Sequence, residues 1–440
     1  MFWQATIDLN NPAKGLGNKL LNSTLISFTI PDFRNFYIGQ FMSFTGTWMR
    51  RTALGWLVFE MTGKYDQLGI ISALIVLPLL LFSPWAGMLA DQFPKKKMIF
   101  ITNIFSCLFS FMLAALVLFD FVSLPLLYLI AFASGTAFAF EVPVRQSFIK
   151  ELIGKEKLLN GIALNSASVN LSRILGPLLA SLLLASSKHG YVIIFVLDAL
   201  SYIVVMFTLM IVKTEGKPLA QTHTGMAHFR QGLSAVYDNR PVLMTMLLLL
   251  LLGVFGWSYQ TLLPGIVQDK YGVFQQDAYV LGILMAIFGV GASIGAILVA
   301  TFYSKLNPMR CLYAGLLCLS VSLFLMGTLQ DYFWFALLQF PAGFGSIFFL
   351  STANTVIQTS VDDSVRGRVM GIWSLGFGGS IPLGSFIIGT TAQWFGPFKS
   401  MLLFTGILFV FLHFIAFSGY LFPRKDIVSL ILGRKNHAPR

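Results

Sequence analysis

Along this chain, apolar runs of about 20–28 residues alternate with short polar turns, and each run is long enough to cross a bilayer as a helix. The runs fall at roughly 36–60, 68–91, 97–119, 124–148, 158–185 and 190–212. A polar stretch then spans Lys213 to Arg240. Six more runs follow at roughly 242–266, 279–303, 309–329, 332–358, 367–393 and 398–421. This pattern predicts an all-α membrane protein with twelve transmembrane helices in two six-helix halves. The expected divisions are an N-terminal segment 1–33, a first half 34–212, a linker 213–240, a second half 241–421 and a tail 422–440. The stretch from Leu16 to Phe33 reads either as an amphipathic helix on the membrane surface or as a plain cytosolic tail.

The halves read as repeats. Gly69 to Lys97 overlays Gly282 to Arg310, and Gly135 and Gly161 overlay Gly345 and Gly371. Parallel repeats of six helices are a transporter architecture, with the substrate site between them.

Composition narrows the class further. The chain of 440 residues is 56% hydrophobic and only 11% charged, with mean hydropathy +0.77. Soluble domains carry about 25% charged residues. Cys107, Cys311 and Cys318 lie in apolar runs and form no CxxC pair, so they read as small buried hydrophobes. No metal or cofactor motif is present, and none is expected to bind. His189, His223, His228, His413 and His437 are scattered, which argues against a membrane enzyme.

Charge orients the chain. With both termini in the cytosol, 22 of the 30 lysines and arginines fall in cytosolic segments, four in exterior loops and four within spans. That skew follows the positive-inside rule and accounts for the net charge of +12 without a nucleic-acid partner. The turn Gly87-Met-Leu-Ala-Asp91-Gln-Phe-Pro-Lys95-Lys96-Lys97 is the sharpest marker, because three adjacent lysines remain in the cytosol.

Six ionisable residues lie inside the spans: Arg50, Arg51, Glu141, Arg145, Arg173 and Asp198. A charge at mid-membrane costs about 2.5–3.5 kcal/mol on insertion scales, so each needs a partner or a cavity. Glu141 and Arg145 share a helix face at i,i+4, with Pro143 between them. They read either as a switchable, proton-responsive pair or as a static ion pair. Arg173 and Asp198 lie at similar depth and are placed to bridge two helices. Arg50 and Arg51 point about 100° apart, so one faces the cavity and the other snorkels or pairs, with Glu60 as the expected partner. A cavity arginine would suit an anionic substrate or hold down a carboxylate's pKa. Asn165, Tyr259, Gln260, Asn354 and Gln358 are further cavity candidates, as are Trp48 and Trp257. Gly176 permits close packing and Pro177 frees a carbonyl, so together they are a candidate hinge.

These strings resemble the major facilitator superfamily. Its loop pattern Gly-x-x-x-Asp-Arg-x-Gly-Arg-Lys is matched at Gly87, Asp91, Lys95 and Lys96, with departures at Gln92 and Pro94. Trp48-Met-Arg-Arg-Thr-Ala-Leu-Gly-Trp-Leu-Val58, Pro143-Val-Arg-Gln146, Arg173-Ile-Leu-Gly-Pro177 and Arg366-Gly-Arg-Val369 resemble the bacterial efflux branch that includes the enterobactin exporter. Gly176-Pro-Leu-Leu-Ala-Ser181 matches the antiporter pattern Gly-Pro-x-x-Gly-Gly only in part.

The resemblance implies a major facilitator fold in a bacterial cytoplasmic membrane, working as a monomer among membrane lipids. It implies export of a siderophore or hydrophobic drug-like molecule by alternating access, coupled to protons. It makes Glu141, Arg145 and Asp198 the proton-coupling candidates. It also places Asp91 near Arg366 and Arg368, forming a latch when the cytosolic side is shut. A lipid or sugar transporter or importer of the same fold, or a non-transporting receptor or scaffold, are the alternatives.

Overall fold

A computed structural model of the chain describes residues 26–216, 226–271, 277–303 and 306–417. Within it, the side chains at 83–84, 87–88, 90–91, 155–156, 159, 226–229, 363–364 and 416–417 are outside the description. Most of the N-terminal surface-helix candidate and the tail from 422 also lie outside the described residues.

The first half is built from α1 (Pro31–Thr62), α2 (Tyr65–Gln92), α3 (Lys95–Leu118), α4 (Leu124–Gly154), α5 (Asn160–Ser186) and α6 (Gly190–Ile211). The second half comprises α7 (Arg240–Tyr271), α8 (Ala278–Phe302), α9 (Pro308–Leu329), α10 (Tyr332–Ser360), α11 (Asp363–Phe395) and α12 (Pro397–Phe417). Eleven of the described helices are long and apolar enough to cross a membrane. The remaining long helix, α1, carries Arg50 and Arg51 among Gln40, Ser43, Thr45 and Thr47 and is more polar. At 32 residues it is about 48 Å long and is packed within the first half against α5 and α6.

Local chemistry sets the ends. Pro31 opens α1 at a position where a missing N–H costs nothing, so the helix starts five residues before the expected boundary. Gly63, at φ 60°, closes it. Asn307 caps α9 and Asp331 caps α10 through side-chain oxygens. The helices α4 and α5 form one continuous run, broken where Gly154 takes φ 73°. The segment expected to be a polar linker contains a helix of its own, Met226–Asp238, lying against α11. The helix α7 is irregular: it widens to a π-helical form over Leu252–Trp257 and tightens to 3₁₀ over Ser258–Leu262.

The lysine-rich end is tied together inside the first half. Lys95 pairs with Glu151 at 2.6 Å, and Lys96 donates to the Val212 carbonyl at 2.7 Å. Asp32 accepts from the backbone of Lys213 and Thr214. Ser27 donates its N–H to Asn160, fastening the start of the described chain to α5.

The two halves are shut at the opposite end. There α2 crosses α11 so closely that a Cβ on Gly69 would lie 2.7 Å from the Ser385 carbonyl oxygen, and one on Gly389 would lie 2.7 Å from the Gly69 Cα. The pseudo-equivalent crossing joins α8 to α5, where Gly282 abuts Ser181. The overlay of Gly69 on Gly282 therefore marks one packing role used twice. The overlay of Gly135 on Gly345 does not: Gly135 abuts α2, whereas Gly345 abuts α9. Tyr65 completes the seal. Its N–H donates to Gln393 Oε1 at 2.9 Å and its hydroxyl to Asp269 at 2.7 Å, while Gln268 donates to the Trp56 carbonyl at 3.0 Å. Toward the lysine-rich end the halves part: a Cβ on Gly367 or Gly371 would meet no atom of the described residues within 4 Å.

The Gly69 contact is with backbone, which no rotamer change relieves. In a chain whose native cysteines are replaced and which carries Ser385→Cys, Gly69→Leu should raise labelling by a membrane-impermeant maleimide several-fold from the sealed face. Unchanged labelling would show that this crossing does not hold the seal.

Candidate functional site

Four helices of the first half bring the charged residues together. Arg50 on α1 donates from Nε to Asp198 Oδ2 on α6 at 2.8 Å, and Ser110 of α3 donates to the same oxygen at 2.6 Å. Asp198 is completely buried and Arg50 nearly so. Beside them, Thr47 and the Tyr202 hydroxyl lie 3.0 Å apart. On α4, Arg145 Nη1 donates to Glu141 Oε1 at 2.6 Å, both buried, with the guanidinium 4.6 Å from the Phe44 ring centre. A small chamber adjoins the two pairs, lined by Ser43, Thr47, Ser106, Ser134 and Tyr202, by Phe44 and Phe138, and by the charged Arg50, Arg51, Glu141 and Arg145.

This arrangement corrects two expectations. Asp198 does not bridge to Arg173: its Oδ2 accepts from Arg50 and Ser110, and its Oδ1 has no hydrogen-bond partner among the described residues. Arg50 does not reach Glu60, which instead accepts from the Tyr191 hydroxyl at the sealed end. Of the adjacent arginines, Arg50 is the paired one. Arg51 lines the same chamber, its guanidinium 5.4 Å from the ring centres of both Trp48 and Phe138.

Arg173 sits one turn toward the parted end from Gly176, where a Cβ would lie 2.4 Å from Trp48 Cβ. Its guanidinium lies between Trp48 of the first half and Trp257 of the second, 5.3 Å from each ring centre. Trp257, on the π-helical part of α7, meets Phe377 edge-on, and Phe377 stacks with Trp373 of α11. Rings and guanidiniums thus alternate across the boundary between halves.

Other candidates separate. Tyr259 is not at the boundary: its hydroxyl donates to Gln339 at 2.8 Å, and both residues are buried in the core of the second half. Gln260 is half-buried next to that core, with Nε2 unpartnered. Asn354 and Gln358 bond each other on the parted end of α10. Asn165 is half-buried on α5.

The latch candidates Gly87 and Asp91 have side chains outside the described residues. Lys95 and Lys96, expected to act with them, bond instead within the first half, to Glu151 and Val212. Arg366 donates to the Val361 carbonyl, and Arg368 packs under Gly232 of the linker helix. Sequence reasoning missed Ser110, Tyr202 and Phe138, ordinary span residues recognisable only once their neighbours are known. It also missed Tyr65, Asp269 and Gln393, which sit at turns with no motif.

The family described as transmembrane secretion effector matches residues 22–433. The staphyloferrin A transporter of Staphylococcus aureus is 26% identical over 374 residues, covering 82% of this chain and 89% of that protein. The enterobactin exporter EntS of Escherichia coli is 23% identical over 391 residues, covering 87% and 90%. The chain superposes on the nucleoside transporter NupG with TM-score 0.70 at 17% identity, covering 88% of this chain and 98% of that one. A bacterial homologue of the lysosomal transporter Spinster, inward-facing and unoccupied, gives TM-score 0.71 at 15% identity, covering 93% and 99%. These likenesses establish the major facilitator fold.

Removing one member of a buried ion pair costs about 3–5 kcal/mol, because the survivor is left charged and dry. Asp198→Leu should therefore lower thermal stability in detergent strongly, and Arg50→Leu added to it should restore most of the loss. Additive losses in the double variant would show that the two do not act as a pair.

Proposed function

This chain belongs to the transmembrane secretion effector family, transporters of the major facilitator superfamily, and from that premise we propose that it exports a siderophore-type organic molecule from the cytosol. Full-length similarity to proteins named for staphyloferrin A and enterobactin supports this reading. The proposed setting is a bacterial cytoplasmic membrane with both termini in the cytosol, in line with the lysine and arginine skew. The state described is then open to the cytosol and sealed outside, the state that loads a substrate for export. The proposed divisions are the two helical halves on either side of the 213–240 linker, rocking about the central contact, with Gly176 and Pro177 as the hinge.

Export against a gradient needs a driving force, and we assign it to proton entry. One charge moving through 100 mV supplies about 2.3 kcal/mol. The observation that carries this assignment is the Glu141–Arg145 pair at 2.6 Å beside that chamber. A proton on Glu141 removes the charge that Arg145 answers and frees the guanidinium to move. Asp198 is tied to two donors and serves as the fixed counter-ion of Arg50. On the cytosolic side, Asp91 with Arg366 and Arg368 is proposed to latch the halves in the outward-open state, which is not the state described.

In proteoliposomes with an imposed pH gradient and a panel of siderophores, the wild-type chain should move a siderophore. Glu141→Gln should abolish that pH-driven movement while leaving binding intact, and normal transport by this variant would remove Glu141 from the mechanism. Asp91→Asn should slow turnover without weakening binding. Unchanged access of cysteine probes to the cytosolic opening in that variant would count against the latch.

A further inference from the structure

The ionisable residues inside the first half do not balance. Arg50, Arg51, Arg145 and Arg173 face Glu141 and Asp198, and both carboxylates are taken by Arg50 and Arg145. Arg51 and Arg173 have no carboxylate partner among the described side chains. Their Nε atoms, and Nη1 of Arg173, are buried without a hydrogen-bond acceptor. Two more buried donors on the second half are also without acceptors: Gln260 Nε2 on α7 and Trp373 Nε1 on α11. Aromatic stacking answers part of the charge, with Trp48 contacting both guanidiniums and Trp257 contacting Arg173. A cation on a ring face gains about 0.5–2 kcal/mol, which is less than the several kcal/mol that burying an ion costs. Rings also accept nothing in the guanidinium plane, where the N–H groups point.

The buried Oδ1 of Asp198, the counter-ion of Arg50, is an unmatched acceptor, whereas the unmatched groups of Arg51, Arg173, Gln260 and Trp373 are all donors or cations and come from both halves. This asymmetry does not suit a neutral sugar, which needs acceptors as well as donors, nor a cationic drug, which the guanidiniums repel. Resting on the export reading above, we propose that Arg51 and Arg173 form an anion subsite around Trp48, where the chamber of the first half meets the boundary of the halves, and that the cargo is an organic molecule with two or more oxyanion groups. The guanidinium fork accepts a carboxylate or a phosphate with two parallel bonds. Trp48 and Trp257 hold the two forks in place, so little side-chain freedom is lost on binding. Trp373, stacked with the Phe377 that meets Trp257, supplies a neutral donor from the other half. A bound dianion would neutralise the excess charge and connect the halves through the same ligand.

The test uses the full chain in lipid nanodiscs and tryptophan fluorescence, which Trp48, Trp257 and Trp373 should dominate in the response. The probes are tricarballylate, its neutral trimethyl ester and glycerol 2-phosphate, titrated at constant ionic strength. Tricarballylate should give saturable quenching and the ester none, a comparison that needs no variant to fold. Comparable binding of glycerol 2-phosphate would assign the oxyanion to phosphate, and weaker binding would assign it to carboxylate. Arg51→Gln and Arg173→Gln should each weaken tricarballylate binding about tenfold or more, as expected for a charge-assisted hydrogen bond. Equal binding of acid and ester, or wild-type affinity in the double Arg→Gln variant, would overturn the subsite. If the acid binds but no siderophore moves in proteoliposomes, the export reading fails and the subsite stands. If siderophore moves while acid and ester bind alike, the reverse holds.

Discussion

A charge inside a bilayer must be answered by another charge, by dipoles or by water, and four guanidiniums lie within this bundle against two carboxylates. The organisation of the first half follows from that constraint. Arg50 is fixed by Asp198 and Ser110, which ties α1 to α6 and α3 at one buried point. Arg145 is held by Glu141 one turn away on the same helix, so the ion pair itself joins no two helices, and the Phe44 ring is the neighbour its guanidinium would leave. The two ion pairs are thus unequal: one joins three helices, whereas the other can open without parting any. That difference is the physical reason for assigning structure to Asp198 and proton response to Glu141.

The unmatched pair, Arg51 and Arg173, lies where the structure changes from sealed to parted. Beyond it, toward the sealed end, glycine-lined crossings of α2 with α11 and of α5 with α8 bring backbones together. These crossings are short, rigid and related by the internal repeat, which is what rocking about a central contact requires. Tyr65 adds polar bonds to Asp269 and Gln393 at the same end. Hydrogen bonds of this kind contribute about 0.5–1.5 kcal/mol each, so the seal is strong enough to persist and weak enough to open.

Much of the fold was legible in the sequence because hydrophobic period and length dominate a membrane chain. The span positions, the alternation of lysine-rich turns and the i,i+4 placement of Glu141 and Arg145 all follow from one-dimensional pattern. Helix ends were less legible: Pro31 lengthens α1, and α4 runs on to Gly154 through charged residues that pattern alone assigns to a loop. The site was half legible. The 100° offset of Arg50 and Arg51 predicted one cavity-facing and one paired arginine, yet both line the chamber, and Arg50 is the one that pairs. Which residue pairs with Arg50 was not legible, because Asp198 lies 148 positions away and Glu60 is closer in sequence. Tyr259 looked like a cavity residue for the same reason, since nothing local reveals that Gln339 takes its hydroxyl.

The central claim is that an anion held at the Arg51–Arg173 boundary lets one rigid motion exchange the sealed and parted ends. Electron–electron double resonance on spin labels tests it directly, with one pair at the exposed positions Gln146 and Gln358 near the parted end and another at the exposed positions Ser186 and Tyr279 near the sealed end. Saturating tricarballylate should populate a second state in which the first distance shortens and the second lengthens in the same proportion of molecules. Distances that stay fixed in both pairs, or a change confined to one of them, would contradict the account.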